Sequence, residues 1–241
     1  MIKGVVMKKY RSLLFDADGT LLDFEAAEKS ALRNTFAKYQ LPFNEEIEQT
    51  YTKLNQDLWK AHERGEIDRN TLIYTRFGKL FDIYHFDADG VKFEDDYQLA
   101  LGEGHELINH AMEVVTTLKH DYDLYIVTNG VIATQYSRLK DSGLYQHFKQ
   151  IFVSEECGYQ KPSKEYFDVV FEAIKPKSKE EVLIIGDSLS SDIQGGNNAG
   201  IATCWFNPKA HPHKHHLRID HEIKDLRELY DIVGKGDTYG R

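Results

Sequence analysis

Apolar and polar positions follow two different regimes along this chain. Residues 11–15 run apolar into Asp16 and predict a short buried strand. A long helical stretch follows, in which Leu32, Thr35, Phe36 and Tyr39 recur at helical spacing until Pro42 and Asn44 punctuate it. Residues 45–64 and 68–84 predict two more helices with Gly65 between them, and 94–101 predicts a shorter one. From about residue 105 the pattern alternates: helix 105–120, strand 124–127, helix 132–142, strand 151–153, helix 164–174, strand 182–185, helix 190–199, strand 202–206. Such alternation implies right-handed crossovers and a parallel sheet covered on both faces. The strand at 11–15 must join that sheet, because alone it cannot bury its faces. The expected fold is therefore α/β: a Rossmann-like parallel-sheet core from residues 1–22 and 105–241, with an inserted α-helical cap domain at 23–104. Gly102 and Gly104 are candidate hinge residues for the return to the core. No repeat at solenoid spacing and no low-complexity tract interrupts this plan.

Three of the apolar strands end in polar residues: at Asp16, at Thr128 and at Asp187. Open α/β sheets bind ligands outside the carboxyl ends of their strands, so residues far apart in sequence converge on one edge. The first cluster, Asp16-Ala17-Asp18-Gly19-Thr20, offers two carboxylates, and Asp187 offers a third. Three hard oxygen donors suit Mg²⁺, and no cysteine or histidine accompanies them as a zinc site would want. A calcium loop counted from Asp16 would need Glu at its twelfth position, which holds Ala27. The same four letters recur as Asp87-Ala88-Asp89-Gly90 inside the helical stretch, where they read as a surface turn; context makes the first copy informative.

Thr128-Asn129-Gly130 fits an anion cradle at a strand-to-helix turn, and equally an ordinary helix cap. In Lys161-Pro162-Ser163 the proline keeps Lys161 out of a helix and Ser163 can cap the helix that follows. That fixes one ammonium at the sheet edge. Asp192 lies five residues beyond Asp187, placed to support the metal ligands from outside or to serve as a helix N-terminal acid.

Composition narrows the partners. The 241 residues are 41% hydrophobic and 29% charged, ordinary for a globular chain, and the formal net charge of −9 opposes nucleic acid and anionic membrane surfaces. An anionic small substrate stays open, because a metal and one lysine reverse the field locally. Two cysteines, Cys157 and Cys204, form no disulfide framework and read as reduced thiols of a cytoplasmic protein. No apolar run approaches the roughly 20 residues of a membrane helix. Residues 1–11 lack the apolar segment of a signal peptide, Met7 opens a second plausible start, and residues 234–241 read as loose. His211, His213, His215 and His216, interrupted by Pro212 and Lys214, read as an exposed loop in preference to a metal site. Trp59 suits core packing or the stacking of a base.

Taken together these residues resemble the haloacid dehalogenase-like superfamily (HAD), whose four motifs occur in order as Asp16-Ala17-Asp18-Gly19-Thr20, Thr128-Asn129-Gly130, Lys161-Pro162 and Gly186-Asp187-Ser188 with Asp192. The likeness covers residues 13–206, and the helical block resembles the family's cap. Leu21-Leu22-Asp23-Phe24, the stretch from Asn55 to Trp59 and Thr75-Arg76-Phe77 are similar to the YjjG/YfnB-type subgroup of cytosolic nucleotidases, which act on pyrimidine nucleoside monophosphates. The resemblance implies Asp16 as nucleophile and Mg²⁺ held by Asp16, Asp187 and the backbone carbonyl of Asp18. It implies Asp18 as general acid and base, and Thr128, Asn129 and Lys161 as the holders of the transferring phosphoryl group. The cap would close over the site and contact the leaving group. The implied partner is a small phosphorylated metabolite, a nucleotide first, for a monomer or homodimer. Asp18 disfavours dehalogenation, since the family's dehalogenases lack that second aspartate. A sugar-phosphate phosphatase or a phosphomutase is the alternative; a non-catalytic binding module would have no need of Asp18.

Overall fold

The computed structural model describes residues 9–212 and 216–234; Met7, His213, His215 and the tail beyond Gly234 lie outside the described residues. The chain runs through β1 (Ser12–Phe15) and four helices, α1 (Phe24–Lys38), α2 (Glu45–Glu63), α3 (Arg69–Tyr84) and α4 (Gly90–Glu103). It continues through α5 (Ala111–Leu118), β2 (Asp123–Thr128), α6 (Ile132–Asp141), β3 (Gln150–Val153), the single turn α7 (Ser154–Cys157) and α8 (Lys164–Ile174). The last elements are β4 (Val182–Gly186), α9 (Gln194–Ala199), β5 (Ala202–Phe206), β6 (His221–Ile223) and α10 (Leu229–Ile232). Two compact units result: one from residues up to Asp23, Leu107–Ile132 and the described residues from Ser142 onward, the other from Phe24–Glu106 and Ala133–Asp141.

The first unit is built on a six-stranded sheet of order β3-β2-β1-β4-β5-β6, every neighbouring pair parallel. β1 and β4 are buried along their whole length, as the continuous apolar runs of a doubly covered parallel strand require. Leu14, Val127 and Ile184 from three adjacent strands pack with Tyr166 and Phe167 of α8. The chain builds outward from β1 to β2 and β3 on one side, then from β4 to β6 on the other. The strand order reverses between β1 and β4, the position where such sheets open a crevice. β6 has no counterpart in the sequence reading: three residues, two of them His and Glu, give no apolar run to detect.

The second unit packs its helices around aromatic rings. Phe93 of α4 meets Phe77, Phe36 and Phe81 at centroid distances of 4.6, 5.0 and 5.1 Å. Side-chain caps set the helix starts: Asn44 accepts from the Ile47 N–H and Asp68 from the Thr71 N–H. α4 begins at Gly90, earlier than the predicted residue 94, because Asp89 accepts from the N–H groups of Val91 and Lys92. The second Asp-Ala-Asp-Gly copy is thus a helix start. Gly90 also lies against the backbone of Gly78, where a Cβ would come within 2.6 Å of the Gly78 nitrogen. Gly104 has ordinary dihedrals, and its missing side chain makes room for Ala27, 2.5 Å from an ideal Cβ. Trp59 stands edge-on to His62 at 5.9 Å. α6 joins this unit by two bonds: Thr134 Oγ1 donates to Gln98 (2.7 Å) and Arg138 Nε donates to the Gly104 carbonyl (2.6 Å). No described helix is long and apolar enough to cross a membrane.

Candidate active site

β2, β1 and β4 are neighbours, so Thr128, Asp16 and Asp187 leave adjacent strands at the same sheet edge. Asp16 continues the ladder, its N–H donating to the Ile185 carbonyl (2.9 Å). The chain then turns tightly. Leu21 and Leu22 N–H donate to the Ala17 carbonyl and Gly19 N–H donates to Leu22. Gly19 takes φ +80°, and a Cβ there would lie 2.5 Å from Asp187 Oδ2, so both its backbone and its neighbour exclude a side chain. Thr128 is buried at the end of β2, paired with Val153 of β3.

Lys161 is the hub of the site. Only 1% of it is exposed, and its Nζ donates to Asp16 Oδ1 (2.7 Å), Asp192 Oδ1 (2.6 Å) and the Val127 carbonyl (2.7 Å). Burial works against its charge, but Asp16 and Asp192 outweigh it and the ammonium is held above its usual range. Asn129 brackets the lysine from behind: its Nδ2 donates to the Lys161 carbonyl and its Oδ1 accepts from the Lys161 N–H, both at 2.8 Å. The side-chain amide is therefore committed to the lysine loop, and what Asn129 can offer an anion is its main chain. Ser163 caps α8 through the Tyr166 N–H, as its position after the proline suggests.

Asp192 sits on a π-type turn, Leu189–Ile193, in which Ile193 N–H donates to Ser188. Its other oxygen, Oδ2, accepts from the Ser188 N–H (3.0 Å), so both carboxylate oxygens are engaged. An ideal Cβ on Gly186 would collide with this carboxylate. Trp205 of β5 donates its indole N–H to the Asp187 carbonyl (2.8 Å), fixing the start of the loop. Ser188 belongs to the fourth motif, but Trp205 does not stand out in the sequence. The parallel register, which sets Trp205 beside Gly186, is the signal that would have found the tryptophan.

One oxygen each from Asp16, Asp187 and Asp192 lies within 4.8 Å of the others. Asp18 is close enough that its charge raises both Asp16 and Asp187. Burial, against the pull of Lys161 and helped by the three neighbouring acids, pushes Asp16 well above the ordinary carboxylate value. Enclosure by protein, then Asp192, pushes Asp187 up to about 7, although its carboxylate still meets water. Four acids thus share one lysine. Asp192 faces that lysine with one oxygen and the Ser188 N–H with the other, Asp16 meets the lysine through Oδ1, and the Asp187 carboxylate lies beside its own main-chain N–H. An all-oxygen donor set with excess negative charge fits Mg²⁺, which would be held by Asp16 and Asp187 with Asp192 behind them.

A parallel sheet that gathers carboxylates and a buried lysine at its switch point places this chain among the α/β proteins with a polar site at the carboxyl edge of the sheet. The profile of the haloacid dehalogenase-like hydrolases matches residues 10–200, and the chain belongs to that family. It is 49% identical to the HAD-hydrolase YfnB of Bacillus subtilis over 96% of this chain and 99% of that one. It is 38% identical to the pyrimidine 5′-nucleotidase PynA of Streptococcus pneumoniae (94% and 96% covered) and 30% identical to the pyrimidine 5′-nucleotidase YjjG of Escherichia coli (94% and 99%). The crystal structure of YfnB bound to magnesium superposes with a TM-score of 0.90 at 50% identity, covering 94% of this chain and 99% of that one.

Proposed function

We propose that the protein is a Mg²⁺-dependent phosphatase that hydrolyses nucleoside 5′-monophosphates, pyrimidine nucleotides first, through an aspartyl-phosphate on Asp16. The observation that carries this reading is Lys161 Nζ bridging Asp16 and Asp192, with Asp187 beside them. The lysine leaves one Asp16 oxygen free to act, and its charge offsets that of an incoming phosphate. Asp16 attacks phosphorus, the bond to the leaving oxygen breaks, and Asp18 supplies that oxygen with a proton. Water then attacks the same phosphorus, gives its proton to Asp18, and the Asp16–phosphorus bond breaks to release inorganic phosphate. Lys161, Thr128 and the main chain after it hold the phosphoryl oxygens in both steps. When bound, Mg²⁺ supplies charge neutralisation between nucleophile and phosphate. The two pyrimidine 5′-nucleotidases among the relatives support the nucleotide assignment.

The test is phosphate release from UMP, dUMP and dTMP beside sugar phosphates, with Mg²⁺ and with EDTA. The expected result is Mg²⁺-dependent release that favours the nucleotides and is abolished by Asp16→Asn. Equal release by the Asp16→Asn variant would remove the nucleophile from this reading.

A further inference from the structure

Asp16, Asp187 and Asp192 converge on one point, but they are held there differently. Asp16 and Asp192 are buried and tied to Lys161 by ion pairs of 2.7 and 2.6 Å. Asp187 is the exposed member of the three and leads from β4 into a loop. Two contacts restrain it. On one side its Oδ2 lies so close to Gly19 that a Cβ there would come within 2.5 Å. On the other its carbonyl accepts the indole N–H of Trp205 at 2.8 Å. Trp205 is only 3% exposed, and β5 pairs it in register with Gly186, the residue before Asp187.

A core position on β5 needs only apolar area, which phenylalanine supplies at the next residue, Phe206. A buried indole N–H has to find an acceptor as well, and shielded from water that bond is stronger than at the surface. Here the acceptor belongs to a residue of the acidic cluster. The carbonyl and the carboxylate of Asp187 branch from one Cα, so holding the first restricts where the second can swing. A divalent cation binds more tightly to oxygens already in place, because ordering a loose ligand subtracts from its binding free energy. We propose that Trp205 is a positioning residue for the cation: its indole holds Asp187 in the arrangement that Mg²⁺ binds, and so sets the affinity of the site. The inference rests on the Mg²⁺-dependent reading above and deepens it by naming the side chain behind the ligand. It also makes the indole a reporter, since the bonded residue is the one that meets the ion.

The experiment measures Mg²⁺ binding by calorimetry, without substrate, in the wild type, in Trp205→Phe and in Phe206→Leu. Phe206 is as buried as Trp205 and has no side-chain donor, so its truncation costs packing on the same strand and no hydrogen bond. The expected result is a Mg²⁺ dissociation constant raised about ten-fold or more in Trp205→Phe, as loss of a group behind a metal ligand does, and changed by less than about two-fold in Phe206→Leu. Both variants should melt earlier than the wild type in EDTA, but only Trp205→Phe should lose part of the stabilisation that Mg²⁺ confers. An unchanged constant in Trp205→Phe, or an equal rise in the two variants, would overturn the proposal. If Trp205→Phe does not fold, the Trp59→Phe protein, whose one tryptophan is Trp205, decides the matter. A saturable change of its emission on addition of Mg²⁺ supports the clamp, and an unaltered spectrum refutes it. A wild type that binds no Mg²⁺ sinks the metal reading together with this inference. One that binds Mg²⁺ yet releases no phosphate sinks the phosphatase reading alone, and the measured affinities still decide the role of Trp205.

Discussion

Replacing Lys161 by methionine keeps the length of the side chain and deletes one buried ammonium. Three bonds of 2.6 to 2.7 Å disappear, and Asp16 and Asp192 face each other without a cation. Breaking a buried ion pair from one side costs about 3–5 kcal/mol. The cost depends on pH, because the carboxyls can take up a proton in place of the lost charge. Burial and the neighbouring acids already raise Asp16 and Asp187 in the folded state, and removing Lys161 raises them further. A raised carboxyl contributes stability below its unfolded value of about 4 and loses it as pH rises through the folded value. The deficit of Lys161→Met therefore widens from pH 5.5 to pH 8, and millimolar Mg²⁺ narrows it by supplying a cation to the same oxygens. Urea unfolding in EDTA, followed by Trp205 fluorescence in a Trp59→Phe background, reads the sheet unit directly. A deficit below about 1 kcal/mol at pH 8, or one equal at both pH values, would refute the account of Lys161 as the counter-charge of this site. The same variant is expected to lose about 100-fold or more in kcat, as removal of a preorganised charge from a phosphoryl site does.

Other substitutions test separate parts of the design. Gly186→Ala drives a methyl group into the Asp192 carboxylate and is expected to cost about 1–3 kcal/mol in urea unfolding, with lower phosphate release. Asn129→Ala removes both hydrogen bonds on the Lys161 main chain, about 1 kcal/mol each, and should lower kcat more than it raises KM; a pure KM effect would contradict the bracket. Glu28, raised from 4.5 to about 7, favours its protonated form in the fold. That contribution is complete below about 4.5 and is lost as pH rises through about 7, a swing of about 3 kcal/mol. Glu28→Gln should therefore gain melting temperature relative to wild type between pH 5 and pH 8, and a pH-independent difference would show that the carboxyl does not titrate in that window.

The sheet and its functional edge were legible because both rest on local signals. Apolar runs ending at Asp16, Thr128 and Asp187 predict strands, and parallel pairing alone brings their ends together. What stayed hidden depends on packing between distant segments. Arg76, Glu94, Asn55 and Glu28 are single polar residues on four helices, and no spacing rule links them. Asn129 looks the same in sequence whether its amide meets a phosphate or the lysine backbone, and only the fold chooses. The starts of α4 and α5 moved for local reasons: Asp89 caps the first early, and His110 at φ 67° delays the second. Gly104, a hinge candidate by residue type, is explained by the methyl of Ala27.

The grouping of α6 with the four inserted helices bears on how such enzymes can be recombined. The helical unit is encoded in two stretches, and the second lies between β2 and β3 of the sheet. A chimera that transplanted residues 24–106 alone would strand Arg138 without the Gly104 carbonyl and Thr134 without Gln98. Domain exchange in this lineage should therefore succeed only when both gene segments travel together, or when the receiving scaffold already carries a matching surface on its own sixth helix.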